Sequence, residues 1–331
     1  MSSNKVTIKD VAKKAGVSIA TVSRFMNNPA SLKEDSRREV ENAVRELKYQ
    51  PMTYARKLAG GRLNTFGLVI PGFSGIFHSF YAIEIVSGIA TALEKERIDL
   101  HLNVFWNKDN FNPSLVDGVI FADIVGNMSQ LQRIVKEGTP VVVINRKVDD
   151  LNVSYVTIDN FKGAYDAVDF LIHHGHKRIA HLAGDMRVQC AQDRVDGYKA
   201  ALQKNSLPVR EEYIKITNFS RKDARDKMEE LFKLKETPSA VFCCSDEVAS
   251  EVLAFAEEKR IEVPKALSVI GFDDNPHCSY GSMMLTTVRQ PLDKMTSVSV
   301  DTLKETIEKS ISPRKIVLPT ELVIRDTVSF L

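Results

Sequence analysis

The sequence predicts an all-α helix-turn-helix headpiece with a short hinge helix, followed by a two-lobed α/β core built on parallel sheets. Three observations predict it. Residues 7–28, TIKDVAKKAGVSIATVSRFMNN, read as two short amphipathic helices joined by a tight turn. From Phe66 onward, short apolar runs alternate with helical patterns in two successive series. Charge divides the chain at the same place: residues 1–62 hold 13 Lys and Arg against 6 Asp and Glu, a net of +7. The other 269 residues hold 32 against 37, a net of −5. A basic head on a mildly acidic body fits a nucleic-acid partner for the head alone.

Within the head, Thr7 and Asp10 form a capping-box pattern, and Val11, Ala12 and Ala15 repeat at helical spacing. Gly16 closes that helix where a left-handed residue is needed. Ser18 caps the next helix, whose apolar face is Val22, Phe25 and Met26. Ile19, Ala20, Thr21, Ser23, Arg24 and Asn27 lie opposite: small, polar or basic residues suited to base edges and phosphates. A third helix is expected from about 33 to 47, opened by Ser31 and Glu34 and packed through Val40, Val44 and Leu47. Pro51 interrupts, and 53–59 is expected as a short hinge helix ended by Gly60–Gly61. These choices divide the chain into 1–50 (headpiece), 51–63 (hinge helix and linker) and 64–331 (core).

In the first series of the core the expected strands are 66–70, 100–105, 116–121 and 141–144, with helices over 80–96 and 130–137. Helix 161–173 opens the second series. Strands 178–183, 213–217, 240–244 and 267–271 follow, separated by helices 190–204, 222–234 and 246–260. Helix 295–309 and strands 315–318 and 321–325 are expected to return toward the first lobe. The lobes are drawn at about 64–161 with 292–320, and about 162–291 with 321–331.

Apolar residues make up 44% of the 331, enough for sizeable cores, and no segment is disordered by composition. The four cysteines (Cys190, Cys243, Cys244, Cys278) lack zinc spacing and read as reduced and packed. His173, His174 and His176 crowd one helix end, and they read as part of a helix-to-strand turn rather than a metal site. Neither a signal-peptide core nor an apolar run of membrane-spanning length is visible, so the expectation is a cytoplasmic protein without a membrane partner. No Walker loop, dinucleotide fingerprint, nucleophile elbow or zinc motif is present, which argues against an enzyme.

Taken together, YQPMTYARKL (49–58), VTIDN (156–160), GHKRIAHLAG (175–184), RVDGYKAAL (194–202) and VIGFDD (269–274), behind the 7–28 segment, resemble the LacI/GalR family of bacterial transcription regulators over essentially the whole chain. The resemblance implies a periplasmic-binding-protein-like core, operator DNA bound as a homodimer, and a small-molecule effector in the interlobe cleft, with no other cofactor. It implies base reading by Ile19, Ala20 and Arg24. Arg24 is the residue able to bond guanine O6 and N7 together. Thr7, Ser18, Thr21, Ser23 and Asn27 match phosphate-contacting positions. Leu58 matches a hinge leucine that wedges into the minor groove, with the small Ala55 on the same helix. Met52 departs from the asparagine common after the hinge proline.

Ligands in doubly wound sheets bind beyond the carboxyl ends of strands. Asn145, Arg146, Phe219, Ser245 and Asp273 fall there, and Arg194 lies in the helix after 178–183. The resemblance places all six in the effector site, with Phe77 and Phe80 as further apolar wall. Asp246 and Asp274 read instead as caps or turn residues, and Asp273 and Arg194 can also simply pair. Gln290 and Phe161, at expected lobe crossovers, can be pocket or hinge. A second departure is 105–116, where the family's helix has room for only one turn. This trims a face used for dimer contacts or by a protein co-regulator, for which the sequence offers no support.

The leading function is therefore a DNA-binding transcription regulator, a repressor under allosteric control by a sugar or sugar phosphate. A purine- or nucleoside-responsive regulator and a solute-binding protein without DNA function are the alternatives. The chain stops after the core without a heptad extension, which favours a dimer over a tetramer.

Overall fold

The computed structural model describes residues 6–27, 29–47, 49, 62–73, 76–280 and 283–331. The expected hinge helix at 53–59, with Ala55 and Leu58, lies outside them.

The headpiece is α1 (Ile8–Ala15), α2 (Ile19–Asn27) and α3 (Glu34–Leu47). At the start of α1 the Thr7 backbone N–H and hydroxyl both donate to the Asp10 carboxylate, at 2.8 and 2.7 Å. Gly16 ends the helix at φ +65°, its N–H donating to the Ala12 carbonyl. The three helices close over Val11, Ala12, Ala15, Val22, Val40 and Ala43, joined by Tyr49. Val22 sits on the inward face of α2, so the residues around Ile19 and Arg24 face solvent.

The core opens with β1 (Thr65–Pro71), α4 (Phe80–Lys95), β2 (Asp99–Phe105), β3 (Gly118–Ala122), α5 (Met128–Lys136) and β4 (Val141–Ile144). β5 (Ser154–Ile158) completes this run, and α6 (Asn160–His173), β6 (Ile179–Ala183), α7 (Gln189–Lys204) and β7 (Ile214–Ile216) follow. Next come α8 (Arg221–Leu231), β8 (Ala240–Cys243), α9 (Asp246–Glu258), β9 (Ser268–Asp273) and β10 (Thr286–Arg289). The last elements are α10 (Leu292–Lys309), β11 (Lys315–Leu318) and β12 (Glu321–Val323). The first six-stranded sheet has the order β11-β5-β4-β3-β1-β2, and the second β12-β10-β9-β8-β6-β7. All pairs are parallel except β10 with β12. β3 and β4 are buried along their whole length, which is why they read as unbroken apolar runs.

Three features differ from the expectation. β5 and β10 were not anticipated, because Ser154, Thr157, Thr286 and Thr287 interrupt their apolar character. Those polar groups are absorbed by partners far along the chain: Ser154 Oγ accepts from the Arg314 N–H, and Thr286 Oγ1 from the Arg325 N–H. The last strand does not finish the first lobe. Glu321–Val323 pairs antiparallel with β10 in the second sheet, and only Lys315–Leu318 returns to the first. The chain therefore passes between the sheets three times, near 159, 291 and 320. The trimmed connection after β2 does hold a single short turn, Pro113–Leu115. Phe111 takes the place of a covering helix, pressing on Gly67 where a Cβ would fall 2.7 Å from its ring.

Direct bonds tie the lobes: the Phe80 N–H donates to Glu247 Oε1 at 3.0 Å, the Lys147 N–H to Gln189 Oε1 at 2.7 Å, and Gln189 Nε2 back to the Lys147 carbonyl at 3.5 Å. Strand order reverses beside β1 in one sheet and beside β6 in the other, so both crevices open at strand carboxyl ends and face one cleft.

Within the second lobe, α6 and α7 approach so closely at Gly197 that a Cβ there would lie 2.3 Å from the Phe161 carbonyl oxygen. Backbone cannot give way as a side-chain tip can. Gly197→Ala is expected to destabilise the protein by about 1–3 kcal/mol, as overpacking does. Urea denaturation checks it, and an unchanged midpoint would show that the two helices can part without loss.

Candidate functional site

The head presents a small, mostly polar surface. Ser18, Ala20 and Arg24 are exposed, and Ile19 is 45% exposed, high for an isoleucine on a folded helix. Thr21 and Ser23 are half-buried. Ser18 Oγ accepts from the Thr21 N–H at 3.1 Å and lies 2.9 Å from Thr21 Oγ1, so both hydroxyls already serve the helix start. Thr7 is committed in the same way, its hydroxyl proton given to Asp10. The two bonds from Thr7 hold the Asp10 carboxyl below its usual pKa. Arg24 is left as the exposed cation among these positions. The Asn27 side chain lies outside the described residues.

The cleft is built from strand ends. Asp123 follows β3 and Asn145 follows β4, both in the left-handed region at φ +62° and +61°. Their amides continue the ladder, Asp123 N–H to the Ile144 carbonyl and Asn145 N–H to that of Val156. The turned backbone brings the side chains together: Asn145 Nδ2 donates to Asp123 Oδ1 at 2.9 Å. Arg146 turns aside and donates to the Ile124 carbonyl at 3.1 Å. From the other lobe, Arg194 on α7 is buried. Its Nε donates to Asn160 Oδ1 at 2.9 Å, its Nη1 to the Cys244 carbonyl, and its plane lies 3.5 Å over the Phe272 ring. Asp273, at φ +128°, accepts a 2.5 Å bond from Gln290 Nε2. Asp273 and Arg194 thus do not pair directly. The Arg194 charge instead acts at longer range on both Asp123, in the first lobe, and Asp273, in the second.

Aromatic walls are uneven. Phe219 stands at φ +58°, its ring in the space left by Gly184, where a Cβ would fall 2.2 Å away. Phe77 is more than half exposed, while Phe80 is half-buried. Phe161 is exposed and stacks on Tyr165. Ser245 is the N-cap of α9, accepting from the Val248 N–H.

Asp246 corrects the reading as a cap. It is buried and braces the loop after β9 against β10, accepting from the Asn275 N–H at 2.8 Å and Thr287 Oγ1 at 2.5 Å. Gly271 leaves room for it: a Cβ there would be 2.1 Å from Asp246 Oδ1. Asp274 is a turn residue at φ +57°, ion-paired to Arg289 and Arg325. The histidines are spent elsewhere, His173 and His174 on their own helix carbonyls and His176 on Ser239 and Ser329. Among the described residues no cluster could hold a metal ion.

Sequence reasoning missed Asp123 and Tyr81 and left Gln290 open. Asp123 ends an apolar strand, the same signal that identified Asp273. Tyr81 had none, being one aromatic among several at the start of α4. Its phenol is raised well above its usual pKa by burial and by the Asp123 charge. Two acceptors in this cluster are buried without a donor, Asn145 Oδ1 and Gln290 Oε1.

Burial dominates the protonation here. It pushes Asp123 up to about 6, and burial with repulsion from Asp246 pushes Asp273 up to about 8. For a carboxyl whose folded pKa is raised, stability is fully present below the unfolded value near 3.8 and is lost as pH rises through the folded value. These two carboxyls are expected to withdraw stability as pH rises from about 4, Asp123 up to about 6 and Asp273 up to about 8, and Asp273→Asn, which cannot ionise, to flatten that fall. Urea midpoints across the range measure it, and a slope unchanged in the variant would refute the assignment.

The comparisons with known proteins agree with this geometry. Residues 7–52 match the model for bacterial regulatory proteins of the lacI family, and 168–328 that for a periplasmic binding protein-like domain. The chain is 33% identical to the probable HTH-type transcriptional repressor ExuR of Bacillus subtilis (strain 168), over 98% of each chain. Among solved structures it is similar to the transcriptional regulator CelR–cellobiose complex, with a TM-score of 0.71 and 27% identity over 98% of this chain and 100% of that one. The lac repressor dimer bound to operator and an anti-inducer superposes with a TM-score of 0.83 at 23% identity, over 98% of this chain and 100% of that one, which speaks to fold. A lacI-family headpiece followed by a binding-protein core, aligned end to end with a family repressor, makes this chain a member of the LacI family of DNA-binding transcriptional regulators.

Proposed function

We propose that the protein is a cytoplasmic, homodimeric repressor whose hold on a two-fold operator is set by a neutral polyhydroxyl effector bound between the lobes. Residues 1–50 read the DNA, 51–63 link, and 64–331 bind the effector and dimerise. The observation that carries the effector reading is the pair of orphan buried acceptors, one in each lobe. Asn145 and Gln290 each give their N–H to a carboxyl, Asp123 and Asp273, and each keep an unpaired carbonyl oxygen. A ligand satisfying both must supply two hydrogen-bond donors, as the hydroxyls of a sugar do, and bridging the lobes in that way favours closure. A phosphate or carboxylate placed there would meet two acceptors and two carboxyls with Arg194 as the buried cation. The cellobiose bound to CelR, a relative at 27% identity, is a neutral sugar of this kind. Phe219 over Gly184 and the exposed Phe77 supply faces on which a sugar ring can lie.

On the DNA side, Arg24 carries hydrogen-bonded base readout while Ile19 and Ala20 offer apolar contact. A symmetric dimer presents two such helices, hence a pseudo-palindromic site. Ala55 and Leu58 are proposed as the hinge contacts in the minor groove.

Two measurements test the reading. Thermal shift against neutral pentoses, hexoses, disaccharides and nucleosides, each beside its phosphorylated or uronic counterpart, should show stabilisation by a neutral member. At one hundred times its Kd the gain is about 2.7 kcal/mol. An anionic member binding more tightly than its neutral parent would overturn the effector class. In mobility shift, Arg24→Ala should weaken operator binding by about 1–3 kcal/mol, or roughly 5- to 150-fold, and relax one base position. Uniform weakening across sequences would reduce Arg24 to a phosphate contact.

A further inference from the structure

The point where the chain from the headpiece enters the core is held more tightly than an exposed linker end requires. Leu63 is buried, and its N–H donates to Asp117 Oδ1 at 2.9 Å. The Thr65 N–H donates to the other oxygen of the same carboxylate at 3.3 Å, and the Asp117 N–H returns a 2.8 Å bond to the Thr65 carbonyl. Between them Asn64 turns to φ +52°, and its carbonyl accepts from the Asp99 N–H at 2.8 Å. One residue earlier, Arg62 Nη1 donates to Glu308 Oε1 at 3.0 Å. Arg62, Asn64, Asp117 and Glu308 line one small crevice at this end of the first lobe.

Both acidic groups belong to one mechanical unit. Glu308 is in the last turn of α10, and Asp117 adjoins Gly118, against which α10 is seated. A Cβ at Gly118 would lie 2.8 Å from Leu303, and one at Gly88 of α4 would lie 2.4 Å from Thr296. Glycine contacts on two sides thus seat α10 against β3 and α4, so that the three move as one body. Its first turn follows Gln290, which holds Asp273 in the cleft. Eighteen residues at 1.5 Å each make it about 27 Å long, a rigid span from the cleft to the linker.

We propose that Asp117 and Glu308 are positioning residues for operator binding. They clamp residues 62–65 to the end of α10, so the linker starts from a fixed point and a shift of that helix is passed to it. The inference rests on the chain being a DNA-binding regulator. An exposed ion pair is worth little, so Glu308 trims the geometry while the two backbone bonds of Asp117 set it. An asparagine at 117 keeps one acceptor but turns an N–H donor toward the second amide. Specific binding needs both heads in register, whereas non-specific binding needs only charge.

The experiment selects an operator from random duplexes with the full-length protein, then measures mobility shift on it and on a scrambled duplex of equal length. Asp117→Asn is expected to lose at least tenfold on the operator and under twofold on the scrambled duplex, with faster amide exchange at 63 and 65. Glu308→Gln, a surface change that leaves the core intact, should lose two- to fivefold on the operator alone. Equal losses on both duplexes, or full operator affinity in Asp117→Asn and Glu308→Gln alike, would overturn the proposal. If the unaltered protein selects no operator, the regulator reading itself fails.

Discussion

A charge moved from water into a protein interior must be paired, hydrogen-bonded or discharged, and the interlobe cleft is arranged around that constraint. Arg194 cannot discharge. It is held by two neutral oxygens and an aromatic face, which fix its plane without cancelling its charge. The carboxyls around it take the other course, and burial raises Asp123, Asp246 and Asp273 toward neutrality. The cleft therefore sets the fixed charge of Arg194 among acids whose charge adjusts. The left-handed turns at Asn145, Phe219 and Asp273 aim side chains inward where an ordinary strand end would let them splay outward.

The same economy of space governs the scaffold. Parallel sheets covered on both faces leave little freedom at helix contacts, and glycine sits wherever two elements meet at backbone distance. Gly197 admits α7 to α6, Gly88 and Gly118 admit α10, and Gly271 admits a carboxylate. Only the last concerns ligand chemistry directly, since Asp246 positions the loop that carries Asp273 and Asn275. Packing and site are joined there through one side chain.

Legibility in the sequence followed the range of the interactions. The Thr7–Asp10 start, the Gly16 stop and the Val22 face of α2 depend on neighbours within a few positions, and all were readable. Apolar strands such as 141–144 were readable because burial on both faces leaves no polar alternation. β5 and β10 were not, because their serines and threonines are satisfied by residues some 40 to 160 positions away. In the cleft, the strand-end rule pointed to Asn145 and Asp273 by place, and the family resemblance pointed to Arg194. Neither could tell that Arg194 would bind Asn160 and the Cys244 carbonyl rather than Asp273, or that Asp246 would brace a loop. Those outcomes depend on how the chain crosses between the lobes.

The threefold passage between sheets has a consequence for how the protein is made. β11, an edge of the first sheet, ends at Leu318, and α10 precedes it by only a few residues. On the ribosome, β1 to β5 emerge early yet lack the helix that seals one face and the strand that closes one edge. They must wait, with apolar surface exposed, until almost the whole second lobe has been synthesised. At about 5–20 residues per second the interval from residue 158 to 318 lasts roughly 8 to 30 seconds, long enough for chaperone capture. Neither lobe is a continuous stretch of gene, and the two mature as one unit.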